Sequence, residues 1–166
     1  MEPRARIGAG RGAGLLLRSA SRYLPRMTHP IAVQGFDHIV LRVRDKARAL
    51  DFYCGVLGLS VDRDRPELGL THLRAGPQMI DLVTLDGRLG QAGGAGPGRE
   101  GRNLDHFALQ VRPFDEAAIR AHLAGRGIAI VEEGDRYGAD GDGFSIYVED
   151  PDGNRVELKG PPKGRG

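Results

Sequence analysis

Two histidines and two carboxylates lie at matching places in two similar stretches of the chain. His38 and His106 each follow an aspartate directly, and each opens a run of alternating apolar residues. Later in each stretch, an acidic residue stands between apolar neighbours, Asp81 in the first stretch and Glu157 in the second. Imidazole and carboxylate groups are typical ligands of divalent transition metals. This repeated set predicts one metal site to which both stretches contribute.

The alternation of side chains predicts which way these residues point. In a strand that contains His38, the imidazole and Arg42 share one face, and Ile39, Leu41 and Val43 occupy the other. If the apolar face packs beneath a helix, His38 and Arg42 point into a concavity. The same reasoning places His106, and the two carboxylates, on the side away from the apolar core.

Four nitrogen and oxygen ligands would suit Mn, Fe, Co, Ni or Zn better than Ca. Such a site leaves positions open for water or substrate oxygens, as Lewis-acid catalysis requires. The other three histidines, His29, His72 and His122, have no counterpart in the second stretch, and the pattern assigns them no role.

The elements that must position these residues form two copies of one plan. Strand patterns are followed by a helix pattern and three short strands, and Gly and Pro separate the segments. The predicted elements are a strand at 36–44, a helix at 46–57 and strands near 59–64, 68–74 and 78–85, then a strand at 104–112, a helix near 114–125 and strands near 128–133, 143–149 and 154–159. The prediction is an α+β fold in which two βαβββ modules form a curved mixed sheet around a central cavity.

The predicted domain spans residues 34–160, with modules at 34–87 and 104–160. Residues 86–103 contain seven glycines, so the segment between the modules, 88–103, is predicted to be a linker without regular structure. Residues 1–33 form an Arg/Gly-rich arm that is predicted to be disordered, although an Arg-rich, acid-poor start is also typical of an organellar presequence. Residues 161–166 are expected to be a tail.

Composition narrows the class of protein. The net charge of +2 offers no strong case for nucleic-acid binding, and no apolar run approaches the roughly 18 residues of a membrane span. Cys54 is the only cysteine, which indicates a reducing compartment and an inert, buried thiol. A cytoplasmic enzyme with a small-molecule substrate is the expectation.

Several motifs resemble those of the vicinal-oxygen-chelate superfamily, which includes glyoxalase I, bleomycin-resistance proteins, extradiol dioxygenases and methylmalonyl-CoA epimerases. The resemblance covers about residues 35–160. The motifs that carry it are Asp37–Val40, Asp51–Tyr53, Val56–Leu59, Asp105–Ala108 and Tyr147–Leu158. By this resemblance, His38, His106 and Glu157 are metal ligands and Asp81 occupies the fourth ligand position. Glyoxalase I enzymes usually have glutamate there, so the shorter aspartate would bind through water or act only as a base.

The resemblance implies a glyoxalase-like lyase or isomerase, similar to lactoylglutathione lyase, acting on a small oxygenated metabolite. One divalent metal would stabilise an enediolate, with Glu157 or Asp81 as the catalytic base. Arg42 matches an arginine that holds the carboxylate of glutathione, which predicts substrate binding. Leu85 stands where those enzymes tend to carry a glutathione-contacting asparagine, so the use of glutathione as co-substrate stays open.

Two rival functions follow from the same resemblance. One is an extradiol ring-cleaving dioxygenase with Fe(II) on His38, His106 and Glu157. The other is a non-catalytic protein that sequesters a ligand, as bleomycin-resistance proteins do. The resemblance also implies a homodimer, and the sequence leaves open whether the metal site lies within one chain or across two.

Overall fold

The computed structural model describes residue 33, residues 35–98 and residues 100–164. The predicted arm falls outside this part of the chain except for Val33, and His29 also lies outside it. The described elements are β1 (His38–Val43), α1 (Lys46–Leu50), a π-helical segment (Asp51–Val56), β2 (Ser60–Arg65), β3 (Leu70–Ala75), β4 (Gln78–Thr84), α2 (Arg88–Ala92), β5 (His106–Gln110), α3 (Glu116–Gly125), β6 (Ile130–Arg136), β7 (Gly143–Glu149) and β8 (Arg155–Lys159).

Each module builds its own four-stranded mixed sheet. The strand orders are β1-β4-β3-β2 and β5-β8-β7-β6, and in each sheet the first strand of the module pairs in parallel with the last. The remaining pairs are antiparallel. The predicted α+β fold with two βαβββ modules is confirmed, with the strands divided between two sheets.

The core lies between the sheets and the helices. Leu41 and Val43 on β1 are fully buried, whereas Val40 on the opposite face is 49% exposed, as strand alternation predicts. One cluster of buried apolar side chains includes residues from both modules, among them Phe52, Tyr53, Ile146 and Val148.

A polar network joins the first helical region to the turn between β7 and β8. The buried hydroxyl of Tyr53 donates a hydrogen bond to Asp150 Oδ2 over 2.7 Å. The other oxygen of Asp150 accepts the backbone N–H groups of Asp152 and Asn154, at 2.9 and 2.8 Å. Gly153 completes the turn with a φ of +83°, which favours glycine. The network therefore connects the two modules.

Three segments differ in detail from the sequence predictions. The helix predicted over 46–57 is α-helical only to Leu50, and its second half is π-helical. The linker, predicted to be irregular, contains the short helix α2. The expected tail makes contacts with the domain. The backbone N–H of Lys163 donates to the carbonyl of Asp142 over 2.7 Å, and its Nζ lies 2.6 Å from the carboxylate of Asp135. No described helix is long and apolar enough to cross a membrane.

Candidate functional site

The second module brings one histidine and one glutamate together on the open face of its sheet. His106 Nε2 lies 3.5 Å from Glu157 Oε2, and His106 Nδ1 lies 2.6 Å from the carboxylate of Asp105. Glu157 is only 4% exposed, and its other oxygen accepts a hydrogen bond of 2.5 Å from the Ser145 hydroxyl. The carboxylate is therefore held rigidly beside the imidazole.

Tyr147 completes this group and is not among the predicted site residues. It faces Glu157 in the register between β7 and β8, and its ring packs edge-on against His106 at a centroid distance of 5.7 Å. Burial raises the pKa of the Tyr147 phenol, and the neighbouring Glu157 carboxylate raises it further. The phenol is thus a protonated donor beside the carboxylate. Only the strand register could have revealed that Tyr147 lies opposite Glu157.

A cavity of about 360 Å³ opens over this face. Its volume is in the range of small-molecule sites. Arg136 and Arg155 both pair with Glu132 at its wall, and the Arg136 guanidinium lies 5.6 Å from the centre of the Tyr147 ring. The residues that line the cavity are Asp105, His106, Glu132, Arg136, Tyr137, Tyr147, Arg155 and Glu157.

The first module repeats the arrangement with one difference. His38 Nδ1 lies 2.6 Å from the carboxylate of Asp37, and this hydrogen bond is the main cause that raises the pKa of His38. Asp81 is 6% exposed, so it too is a buried carboxylate on the open side of a sheet. Its partner, however, is His72, whose Nδ1 lies 2.7 Å from Asp81 Oδ1. His72 thus contacts a predicted site residue, whereas His122 contacts the carbonyl of Val56 through Nε2 at 2.8 Å.

The strand registers make the two groups equivalent. Asp81 pairs with Val40 on β1 and with His72 on β3. Glu157 pairs with Ala108 on β5 and with Tyr147 on β7. Each histidine thus lies two residues before the partner of its module's carboxylate, and His72 is the counterpart of Tyr147.

The four predicted ligands do not form one site within a single chain. Among residues 33, 35–98 and 100–164, no three His, Cys, Asp or Glu side chains are placed so that they could hold a metal ion. The sequence left open whether the site lies within one chain or across two, and the described residues of one chain do not bring the two predicted pairs together. The physical reason is that each pair lies on the sheet of its own module.

Each pair still fits half of a metal site. A metal-binding histidine typically donates its other ring N–H to a carboxylate, and Asp37 and Asp105 supply that partner at Nδ1 of His38 and His106. The Nε2 atoms are then oriented as donors. Two donors are fewer than the three or four that protein sites for divalent transition metals normally supply. A complete site would need both halves.

Arg42 has a structural role in this part of the chain. Its guanidinium donates to the carbonyls of Gly90, Gly94 and Ala95, over 3.0, 2.7 and 2.9 Å. Gly90 packs so closely against the end of β4 that a Cβ would lie 2.0 Å from the Thr84 carbonyl oxygen. Arg42 thus anchors the linker, and an anionic substrate would have to displace these carbonyls to bind it.

Comparison with known proteins agrees with the fold. The family model described as the glyoxalase/bleomycin resistance protein/dioxygenase superfamily matches residues 35–158. The chain is 31% identical over 144 residues to the glyoxalase domain-containing protein RDO1 of Mycosarcoma maydis, covering 80% of this chain and 72% of that protein. It is 34% identical over 125 residues to lactoylglutathione lyase of Escherichia coli O157:H7, covering 73% and 88%.

Two further similarities are to another curated protein and to a solved structure. Metapyrocatechase 2 of Cupriavidus necator is 31% identical over 132 residues, which cover 80% of this chain but only 35% of that enzyme. The crystal structure of virulence protein STM3117 from Salmonella typhimurium superposes with a TM-score of 0.64 at 27% identity, covering 79% of this chain and 99% of that one. The chain belongs to the glyoxalase/bleomycin resistance protein/dioxygenase superfamily.

Proposed function

We propose that this protein is a metal-dependent lyase or isomerase of glyoxalase type that acts on a small oxygenated metabolite. The observation that carries the proposal is the equivalence of the two half-sites. In both modules an aspartate holds Nδ1 of a histidine, and a buried carboxylate lies on the same face of the sheet. Neither half is needed for the fold core, which lies on the opposite face.

The complete site forms across a homodimer in this proposal. His38 and Asp81 of one protomer would hold the metal together with His106 and Glu157 of the second protomer. Separation of the two pairs in one chain supports this arrangement, because the first module of one copy can then cover the second module of the other. A bound divalent metal supplies Lewis acidity, which polarises substrate oxygens.

The residues of the second module have separate tasks. Glu157 is the proton acceptor, because its Oε1 is held by Ser145 and its Oε2 faces the open side near His106. Tyr147 lies opposite the same carboxylate in the strand register and keeps a protonated phenol there. The cavity of about 360 Å³ beside these groups accommodates a small substrate. The engagement of Arg42 with backbone carbonyls favours a substrate that is not anchored by that residue.

An intersubunit complementation experiment tests the shared site. His38→Ala and His106→Ala are purified separately, and their metal content and turnover are compared with those of an equimolar mixture that has been dissociated and reassociated. A site across the dimer leaves one site with all its ligands in each heterodimer, so metal binding and activity return in the mixture. A site within one chain would leave every site defective. A protein that stays monomeric at all concentrations would also contradict the proposal.

The reaction class is tested on the metal-loaded protein with a panel of 2-oxoaldehydes, with and without glutathione. We expect metal-dependent product formation that is lost in Glu157→Gln. Glu116→Gln, the same change on a 48% exposed side chain of α3 that does not line the cavity, is the matched control. Oxygen uptake with a catechol would instead show ring cleavage, and stoichiometric ligand binding without turnover would show sequestration. Either result would overturn the lyase proposal.

A further inference from the structure

The two half-sites differ at the carboxylate. In the second module, Glu157 Oε2 lies 3.5 Å from Nε2 of its own histidine. In the first module, Asp81 is one methylene shorter, and it forms no ion pair within 4.0 Å with His38 among the described residues. It contacts His72 Nδ1 instead, at 2.7 Å. The first carboxylate is therefore directed to an imidazole on the neighbouring strand.

His72 extends further towards the open side than Asp81 does. The His72 side chain is 22% exposed, whereas the Asp81 side chain is 8% exposed. Both lie on the same face, because Thr71 and Leu73, which flank His72 on β3, are buried in the core at 2% and 0% exposure. A group that enters from the open side meets the imidazole before it meets the carboxylate.

Three imidazoles, two in the first module and one in the second, share one arrangement. Nδ1 of His38, His72 and His106 lies 2.6, 2.7 and 2.6 Å from the carboxylates of Asp37, Asp81 and Asp105. A carboxylate at one ring nitrogen selects the tautomer with the proton on that nitrogen, which leaves the other nitrogen as a donor to a metal. His72 Nε2 is prepared in the same way as the two predicted histidine ligands.

We propose that His72 Nε2, and not the Asp81 carboxylate, is the second metal donor of the first module, and that Asp81 orients His72. The inference rests on the proposed metal site and assigns it a different donor set. The complete set is His38 and His72 from one protomer with His106 and Glu157 from the other. Three imidazoles and one carboxylate suit Ni, Zn or Fe better than Mn.

The test uses the full chain with ¹⁵N-labelled histidines. The protein is titrated with Cd²⁺, and the chemical shifts of the histidine ring nitrogens are followed by NMR. We expect Nε2 of His38, His72 and His106 to shift together at one equivalent of Cd²⁺ per chain. His122 is the internal control, because its Nε2 contacts the Val56 carbonyl on the helical side. Shifts at His38 and His106 without a shift at His72 overturn this inference and leave the proposed function standing. No shift at any of the three overturns the proposed function as well.

Two variants give a second readout by competition for Cd²⁺ with a chelating dye. His72→Ala should weaken metal binding by more than about 100-fold because it removes a ligand. Asp81→Asn should weaken it only about 10- to 100-fold, as is typical when the partner of a ligating histidine is changed. His122→Ala is the control for the loss of an imidazole elsewhere. If Asp81→Asn is more damaging than His72→Ala, the carboxylate is the ligand and the inference is wrong.

Discussion

Replacing Tyr53 by Phe tests the contact that joins the two modules. The Tyr53 side chain is fully buried, and its hydroxyl donates to Asp150 Oδ2 over 2.7 Å. Burial is the main cause that raises the pKa of this phenol, with Asp150 adding to it, so the hydroxyl stays protonated and remains a donor. The substitution keeps the ring in place and removes only this donor.

The expected loss of unfolding free energy follows from the negative charge of the acceptor, the Asp150 carboxylate. A hydrogen bond to a charged group contributes about 1.5–3 kcal/mol to stability, and we expect Tyr53→Phe to lose about that much. The compact unit from Gly35 to Gly166 contains about 130 residues. At about 2.1 cal/mol/K per residue, its unfolding entropy converts this loss into a fall in Tm of about 5–11 °C.

The measurement is urea-induced equilibrium unfolding together with calorimetry. Tyr137→Phe serves as the control, since Tyr137 is 83% exposed and should change stability by less than about 0.5 kcal/mol. A double-mutant cycle that combines Tyr53→Phe with Asp150→Asn should give an interaction free energy of about 1 kcal/mol or more between the two positions. If Tyr53→Phe matches the control, the connection between the modules does not depend on this hydrogen bond and our reasoning is refuted.

Two further predictions concern the first module. Hydrogen bonds from Lys46 and then Thr71 lower the pKa of Asp64. The stability that this carboxylate contributes is therefore present above about pH 4 and is lost as the pH falls through the lowered pKa. Asp64→Asn should cost less than about 1 kcal/mol at pH 7, because the pair is partly exposed, and urea unfolding at decreasing pH should show this difference disappearing. Arg42→Lys should increase amide hydrogen exchange in residues 90–95. The three N–H groups of an ammonium all leave one nitrogen, whereas the guanidinium reaches its three carbonyls from two separate nitrogens. An unchanged exchange rate, equal to that of Arg63→Lys on exposed β2, would show that Arg42 does not anchor the linker.

The sequence by itself determined the elements whose signals are local. The period-two pattern of β1 correctly placed Leu41 and Val43 in the core, and the predicted strand at 143–149 has the bounds of β7. The helix near 114–125 became α3, whose N-cap Asp115 accepts the backbone N–H of Ala118 over 3.0 Å. Side-chain alternation and helix capping depend on neighbours within a few residues, so the local sequence is enough to predict them.

The linker and the helix of the first module were predicted less well. The glycines of 86–103 indicated an irregular segment, yet α2 lies there, where Arg42 donates to the Gly90 carbonyl and Gly90 permits close packing against β4. The π-helical second half of the first helical region has no signal in the apolar periodicity. Cys54 is only partly buried, whereas the sequence predicted a buried thiol, and this partial burial raises the pKa of the thiol.

The tertiary structure alone decided how the site residues are grouped. Periodicity placed Asp81 on the correct face of β4, but which residue of β3 lies opposite it depends on a register set by the turns and by packing. That register brings His72, and not His38, to Asp81, and it brings Tyr147 to Glu157. The separation of the two pairs arises in the same way, because contacts between sheets are made by residues far apart in sequence, which no local pattern can specify.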